Sequence, residues 1–175
     1  IGGTEEVTAI VERMKEGGIP VVGVWLQDWV GLRHAWDGDR LIWNWELNTE
    51  YYPGWKGMVK QWNDFKPRAG GRSEVITRVL TYINPFFSDP TNFSSSFTRN
   101  FYQEGIDNKY FVMKHDPENA TNLIPYKLQS LSIEFCMVDL SNPNALKWMK
   151  KIIKDQMLTA AQSSGWMADF GEYVP

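Results

Sequence analysis

Val21-Val22-Gly23-Val24-Trp25-Leu26, followed directly by Gln27-Asp28-Trp29, is the stretch whose reading decides the fold. It is an unbroken apolar run of strand length, rich in β-branched residues. A run of that kind predicts a strand buried on both faces, as in a parallel sheet. Immediately upstream, Thr4 predicts a helix cap, with Glu5 and Glu6 in the first turn where the helix dipole favours them. Val7, Ile10, Val11 and Met14 then fall on one helical stripe, and Gly17-Gly18 with Pro20 end the helix. Helix, short turn and buried strand together begin an α/β pattern.

The pattern recurs downstream. Met58, Val59, Trp62 and Phe65 suit a short amphipathic helix, residues 67–72 a loop, and residues 79–83 a second buried strand ended by Asn84-Pro85. Residues 133–140 predict a third strand. Asn142 then caps a helix with Pro143 at its first position. Ala145, Leu146, Met149, Ile152, Ile153 and Met157 form its inward face, with Lys147, Lys150, Lys151 and Lys154 outside. Gly165 is expected to break this helix, and Trp166-Met167-Ala168 to form a last short strand. Residues 94–130 are the least regular, with a helix, a hairpin and a long excursion expected there.

Strand–helix alternation implies parallel strands joined by right-handed crossovers. A closed (β/α)8 barrel takes about 250 residues. Four strands of barrel type therefore predict an α/β fold in which residues 1–175 are one catalytic piece, the N-terminal half of a TIM barrel. A small doubly wound sheet is the competing architecture, but no glycine-rich dinucleotide or phosphate-loop motif is present to support it. The chain starts at Ile1 rather than Met, carries no signal-peptide pattern, and reads as a piece of something larger.

Composition narrows the function. Of 175 residues 43% are hydrophobic and 22% charged, which excludes wholesale disorder. A net charge of −3 with no Lys/Arg cluster argues against a nucleic-acid partner. One cysteine, Cys136, forms no internal disulfide, and neither a metal nor a cofactor is expected. The longest apolar stretch, residues 21–26, is too short to span a bilayer. Nine Trp, seven Tyr and nine Phe offer flat faces with hydrogen-bonding edges, which suit either a core or a sugar ring.

Sites in parallel α/β folds form at the carboxyl ends of strands. That rule selects Gln27-Asp28-Trp29, the loop through Arg40 and Trp43, Asn84-Pro85, and Ala168-Asp169-Phe170-Gly171-Glu172. Asp169 is the sharpest candidate: nucleophile, general base or metal ligand, or else the N-cap of a following helix. Asp169-Phe170-Gly171 also matches a kinase tripeptide, but no His-Arg-Asp loop precedes it and no glycine-rich loop exists, so that reading fails. Asp28 orients neighbours, contacts sugar hydroxyls or caps a turn. His34 and His115 stand alone, as exposed or satisfied histidines. Asn92 and Asn119 head glycosylation sequons, a hint of a secretory or lumenal compartment.

Residues 165–175, GWMADFGEYVP, resemble the nucleophile strand of glycoside hydrolase family 31, and most closely its sulfoquinovosidase branch. Residues 25–33, 40–45 and 82–85 resemble the same branch, in the same order and at comparable spacing. The match is weakest at residues 67–73 and 97–130. The resemblance implies a (β/α)8 barrel and a retaining α-glycosidase mechanism with Asp169 as nucleophile. It places the acid/base carboxylate on a later strand, beyond Pro175, so this chain alone is expected to be inactive. It also implies that Gln27, Arg40 and Trp43 recognise a C6 sulfonate. A neutral Gln27 avoids like-charge repulsion, Arg40 offers a charged fork, and the Trp43 indole N–H can donate. Arg40 pairing with Asp37 or Asp39, and Trp43 as plain packing, are the alternatives. Neutral α-glucosides or α-galactosides remain competing substrates. A non-catalytic sugar-binding barrel and a self-associating interaction unit remain competing roles.

Overall fold

A computed structural model describes residues 2–64 and 75–173. Phe65, the loop expected at 67–72, and Val174-Pro175 lie outside the described residues. Helix α1 (Gly3–Glu16) buries Val7 and Val11. Its N-cap is Gly2, not Thr4, whose buried Oγ1 has no hydrogen-bond partner among the described residues. Met14, at the far end of the predicted stripe, is 42% exposed, because the helix runs past the edge of what it covers.

Strand β1 (Gly23–Trp25) leads to an antiparallel hairpin, β2 (Leu32–Ala35) and β3 (Gly38–Leu41). Helix α2 (Trp55–Asn63) buries Trp55, Met58, Val59 and Trp62 and delivers the chain to β4 (Arg78–Ile83), followed by the short β5 (Phe86–Phe87). The expected helix and hairpin of the irregular region are α3 (Phe101–Asp107) and the pair β6 (Met113–His115) and β7 (Leu123–Pro125). Then come β8 (Lys127–Ser130) and β9 (Ile133–Met137). Helix α4 (Pro143–Ile152) begins as expected, with Asn142 accepting from the Asn144 N–H and Pro143 in the first turn. It buries Trp148 where Leu146 was expected: Ala145, Trp148, Met149 and Ile152 complete the stripe, and Leu146 is 36% exposed.

The helix does not stop at Ile152. It widens into π-helical turns over Ile153–Ala160 that end with the Ala161 N–H on the Gln156 carbonyl. The reversal lies at Gln162, whose φ is +50°, so Gly165 is already the first residue of β10 (Gly165–Ala168) rather than the helix breaker.

The parallel sheet has the order β1-β4-β10, with Val24 opposite Val79 and Met167 opposite Tyr82. Among the described residues, therefore, three strands of barrel type are present, not four. The 133–140 run is a strand, but β9 lies antiparallel between β5 and β8 in a separate small sheet around Phe86, Ile133 and Phe135. Two-sided burial holds only for the central strand: Val22 is 65% and Trp25 44% exposed, because β1 is an edge.

The irregular region is tied down by every second residue of one loop. Asn44 donates to the Arg99 carbonyl and accepts from Phe101 N–H, and Glu46 accepts from Thr98 and Arg99. Asn48 accepts from Ser96, and Glu50 from Ser94 and Ser95. Beneath it lies an aromatic core. Trp29, Trp45 and Trp55 are almost fully buried, and each indole N–H meets a main-chain carbonyl (Tyr82, Phe86 and Ala161) at 2.8–2.9 Å. Most of the aromatic excess is thus spent on packing, with the polar edges satisfied.

Candidate active site

Strand β10 ends at Ala168, and the Asp169 N–H continues the ladder onto the Ile83 carbonyl at 3.0 Å. This sets Asp169 beside the end of β4 rather than at a helix cap. Its carboxylate Oδ2 accepts from the Tyr82 hydroxyl at 3.2 Å, and that oxygen in turn accepts from Asn84 Nδ2 at 3.3 Å. Asn84 is pinned through its Oδ1 to the Phe86 N–H at 2.9 Å. Burial, and then the Asp169 charge, push the Tyr82 phenol well above its ordinary range, so it stays a donor at any working pH.

Tyr82 also lines a cavity of about 510 Å3, with Trp25, Gln27, Asp28, Arg40, Trp43 and Phe170 among its walls. All four residues predicted to bind substrate therefore meet in one space. Asp169 adjoins it through Tyr82 and through its neighbour Phe170. Such a volume falls within the range of small-ligand sites. Gln27 is exposed in it. Asp28 is 8% exposed and accepts from the Tyr52 hydroxyl at 2.5 Å. Burial and then Asp28 push Tyr51 up to about 12. Burial and the same carboxylate push Tyr52 far above its ordinary value. Asp28 is accordingly an orienting hub as well as a wall residue.

Trp43 is both packing and edge. It stacks on Phe86 at 5.6 Å, meets Phe135 edge-on at 5.0 Å and leans on Phe170 at 6.5 Å. Among the described residues no acceptor partners its indole N–H, in contrast to Trp29, Trp45 and Trp55. Arg40 does pair with Asp37: Nη2 stands 3.2 Å from Oδ2, while Nη1 donates to the Asp39 carbonyl at 3.2 Å. The Ser132 hydroxyl donates to Asp37 Oδ1 at 2.5 Å and is the main reason this carboxyl sits below its usual range.

His34 is exposed and bonded to Asp39 at 2.6 Å, and His115 meets the Ala120 carbonyl at 2.8 Å. Among the described residues no three His, Cys, Asp or Glu are grouped to hold a metal ion. No helix among them is long and apolar enough to cross a membrane. Asn92 and Asn119 both lie exposed. Sequence reasoning selected Asn84 as a strand-end residue but missed Tyr82, Asp37 and Ser132 as site residues. Only Tyr82 carried a signal, as a phenol inside a buried strand that needs a partner.

The model of the family 31 glycosyl hydrolase TIM-barrel domain matches residues 2–175. The chain belongs to glycoside hydrolase family 31. The three-stranded parallel sheet is accordingly part of a (β/α)8 barrel. Within family 31 the chain is 34% identical to the sulfoquinovosidase of Escherichia coli K12 over 99% of its length, and 30% identical to that of Agrobacterium fabrum over 95%. It spans only 22% of either of these curated relatives. A family 31 sulfoquinovosidase from E. rectale, solved with the aza-sugar inhibitor IFGSQ, superimposes with a TM-score of 0.76 at 33% identity, covering 99% of this chain and 22% of that one. A family 31 dextranase from Flavobacterium johnsoniae, complexed with glucose, has the same fold at 14% identity, with a TM-score of 0.67 over 98% of this chain and 17% of that one.

Proposed function

We propose that the chain is the nucleophile-bearing piece of a retaining α-glycosidase that hydrolyses α-sulfoquinovosides. The observation that carries the reading is the convergence of Gln27, Arg40 and Trp43 in one cavity, with Tyr82 bridging from that cavity to Asp169. In the first step an Asp169 oxygen bonds to the anomeric carbon as the bond from that carbon to the aglycone oxygen breaks. A carboxylic acid gives its proton to the departing oxygen. In the second step a water oxygen attacks the same carbon, passing a proton to the same carboxylate, and Asp169 is released unchanged. Retention requires the two carboxyl groups to lie about 5–5.5 Å apart. We assign the second to a strand outside this chain, so residues 1–175, one partial catalytic domain, are inactive alone.

Gln27 accepts and donates without adding negative charge. Trp43 and Arg40 line the cavity, and an indole N–H and a guanidinium are both donors that suit a sulfonate. The test uses the intact enzyme. Asp169→Asn should abolish turnover while preserving binding, and a fully active variant removes the nucleophile assignment. Arg40→Ala should impair hydrolysis of a sulfonated glycoside far more than of the matched glucoside. Equal losses on both favour the second reading, a neutral-sugar enzyme, which the Asp37 pairing of Arg40 and the presence of Asp39 in the cavity wall support.

A further inference from the structure

Arg33 and Arg40 stand directly opposite each other across the β2–β3 hairpin. Like charges in that position repel. The hairpin turn returns a carboxylate to them: Asp37, whose side chain is only 5% exposed, stands 3.2 Å from Arg40. Burial holds the Arg33 guanidinium below its ordinary range, and the nearby Asp37 charge acts against that shift. Ser132, from the turn between β8 and β9, fastens the arrangement by donating to Asp37 at 2.5 Å and accepting from Arg33 Nη1 at 3.1 Å. Arg33 is 5% exposed, and its Nε and Nη2 have no hydrogen-bond partner among the described residues. A buried guanidinium held so sparsely by hydrogen bonds is costly unless an opposite charge lies close to it. Arg33, Arg40 and Asp37 together leave a net charge of +1, and Asp39, the other carboxylate of the hairpin, is bonded to His34. Of Arg33, Asp37 and Arg40, only Arg40, with 39% of its side chain exposed, lies in the wall of the cavity described above.

We propose that Arg33 and Asp37 are positioning residues for anion recognition that act through charge: Asp37 partly offsets Arg40, and the buried Arg33 offsets Asp37, so that Arg40 presents an uncompensated charge to the sulfonate. This deepens the substrate reading above and rests on it. It answers the part of the objection that rests on Asp37, since a lone Asp37 would cancel Arg40.

The test is a double-mutant cycle in the intact enzyme, comparing KM and kcat for a sulfonated α-glycoside and its neutral counterpart. Arg33→Met should raise KM for the sulfonated substrate about tenfold with little change in kcat, and leave the neutral substrate unmoved. Asp37→Asn should lower the sulfonated KM several-fold. The double variant, again at net +1, should return within about twofold of the parent ratio. A merely structural role predicts losses on both substrates and a double variant worse than either single. That result overturns the proposal, as does an Asp37→Asn variant of unchanged preference. If Arg33→Met does not fold, Asp37→Asn decides alone. A parent with no sulfonate preference, or one whose preference survives Arg40→Ala, brings down the substrate reading itself. A preference lost in Arg40→Ala but indifferent to Asp37 and Arg33 overturns only the charge balance.

Discussion

Removing a single oxygen, Tyr82→Phe, tests the link between fold and chemistry. The hydroxyl donates to Asp169 at 3.2 Å and accepts from Asn84 at 3.3 Å. A hydrogen bond to a charged group contributes about 1.5–3 kcal/mol. The bond here is long and half-buried, so the lower figure applies, and about 1.4 kcal/mol is tenfold in rate. On the other side, Asn84 is 3% exposed and its Nδ2 loses its acceptor. A buried donor left unmatched costs about 1–3 kcal/mol. The turn itself survives through Asn84 Oδ1 and the Phe86 N–H. Tyr82→Phe in the intact enzyme should therefore lose about 1–3 kcal/mol in urea unfolding and about tenfold in kcat/KM. Stability and rate separate the two bonds. A variant that is destabilised but hydrolyses at the parental kcat/KM would show that Tyr82 supports the strand end and not Asp169.

Other outcomes follow from particular contacts. Gly105→Ala should destabilise by about 1–3 kcal/mol in thermal or urea unfolding despite better helix propensity, because the new Cβ would sit 2.2 Å from the buried Phe111 ring; equal or greater stability refutes the packing argument. Tyr51 has its pKa raised from 10.0 to about 12, so its neutral form contributes fully below pH 10 and that contribution is lost as pH rises to about 12. Unfolding free energy should decline across that window, less steeply in Asp28→Asn, and a flat profile counts against the hub. Residues 1–175 expressed alone should sediment as dimers or larger species, since β1 and β10 are open edges and Val22, Trp25 and Met167 are exposed. A monodisperse monomer ends that expectation.

The ends of the barrel strands were legible because apolar runs there stop abruptly at polar residues, and Gln27, Asp28, Arg40 and Trp43 do share one cavity. What stayed hidden depends on distance along the chain. Tyr82 and Asp169 are 87 residues apart, and Asp37 and Ser132 are 95 apart, so no local pattern couples them. The direction of β9 was hard to read for a different reason: over five residues one polar interruption, Glu134, is too little to tell an antiparallel partner from a parallel one. Leu146 and Trp148 were exchanged because both are apolar and only the packing partner chooses between adjacent positions; Phe87 lies 4.9 Å from the Trp148 ring. Thr4 was misplaced because an oxygen-bearing residue before two glutamates fits the cap and the first turn alike.

The alternate-residue tether from Asn44 to Glu50 meets residues 94–101 in reverse order, like the teeth of a zip. One added or deleted residue within 44–50 would push every later tooth out of step, whereas a lengthened tip between β6 and β7 would disturb none. Insertions and deletions between relatives should therefore accumulate around residues 116–122 and be purged from residues 44–50, giving this part of the barrel a fixed clasp beneath a freely editable crest.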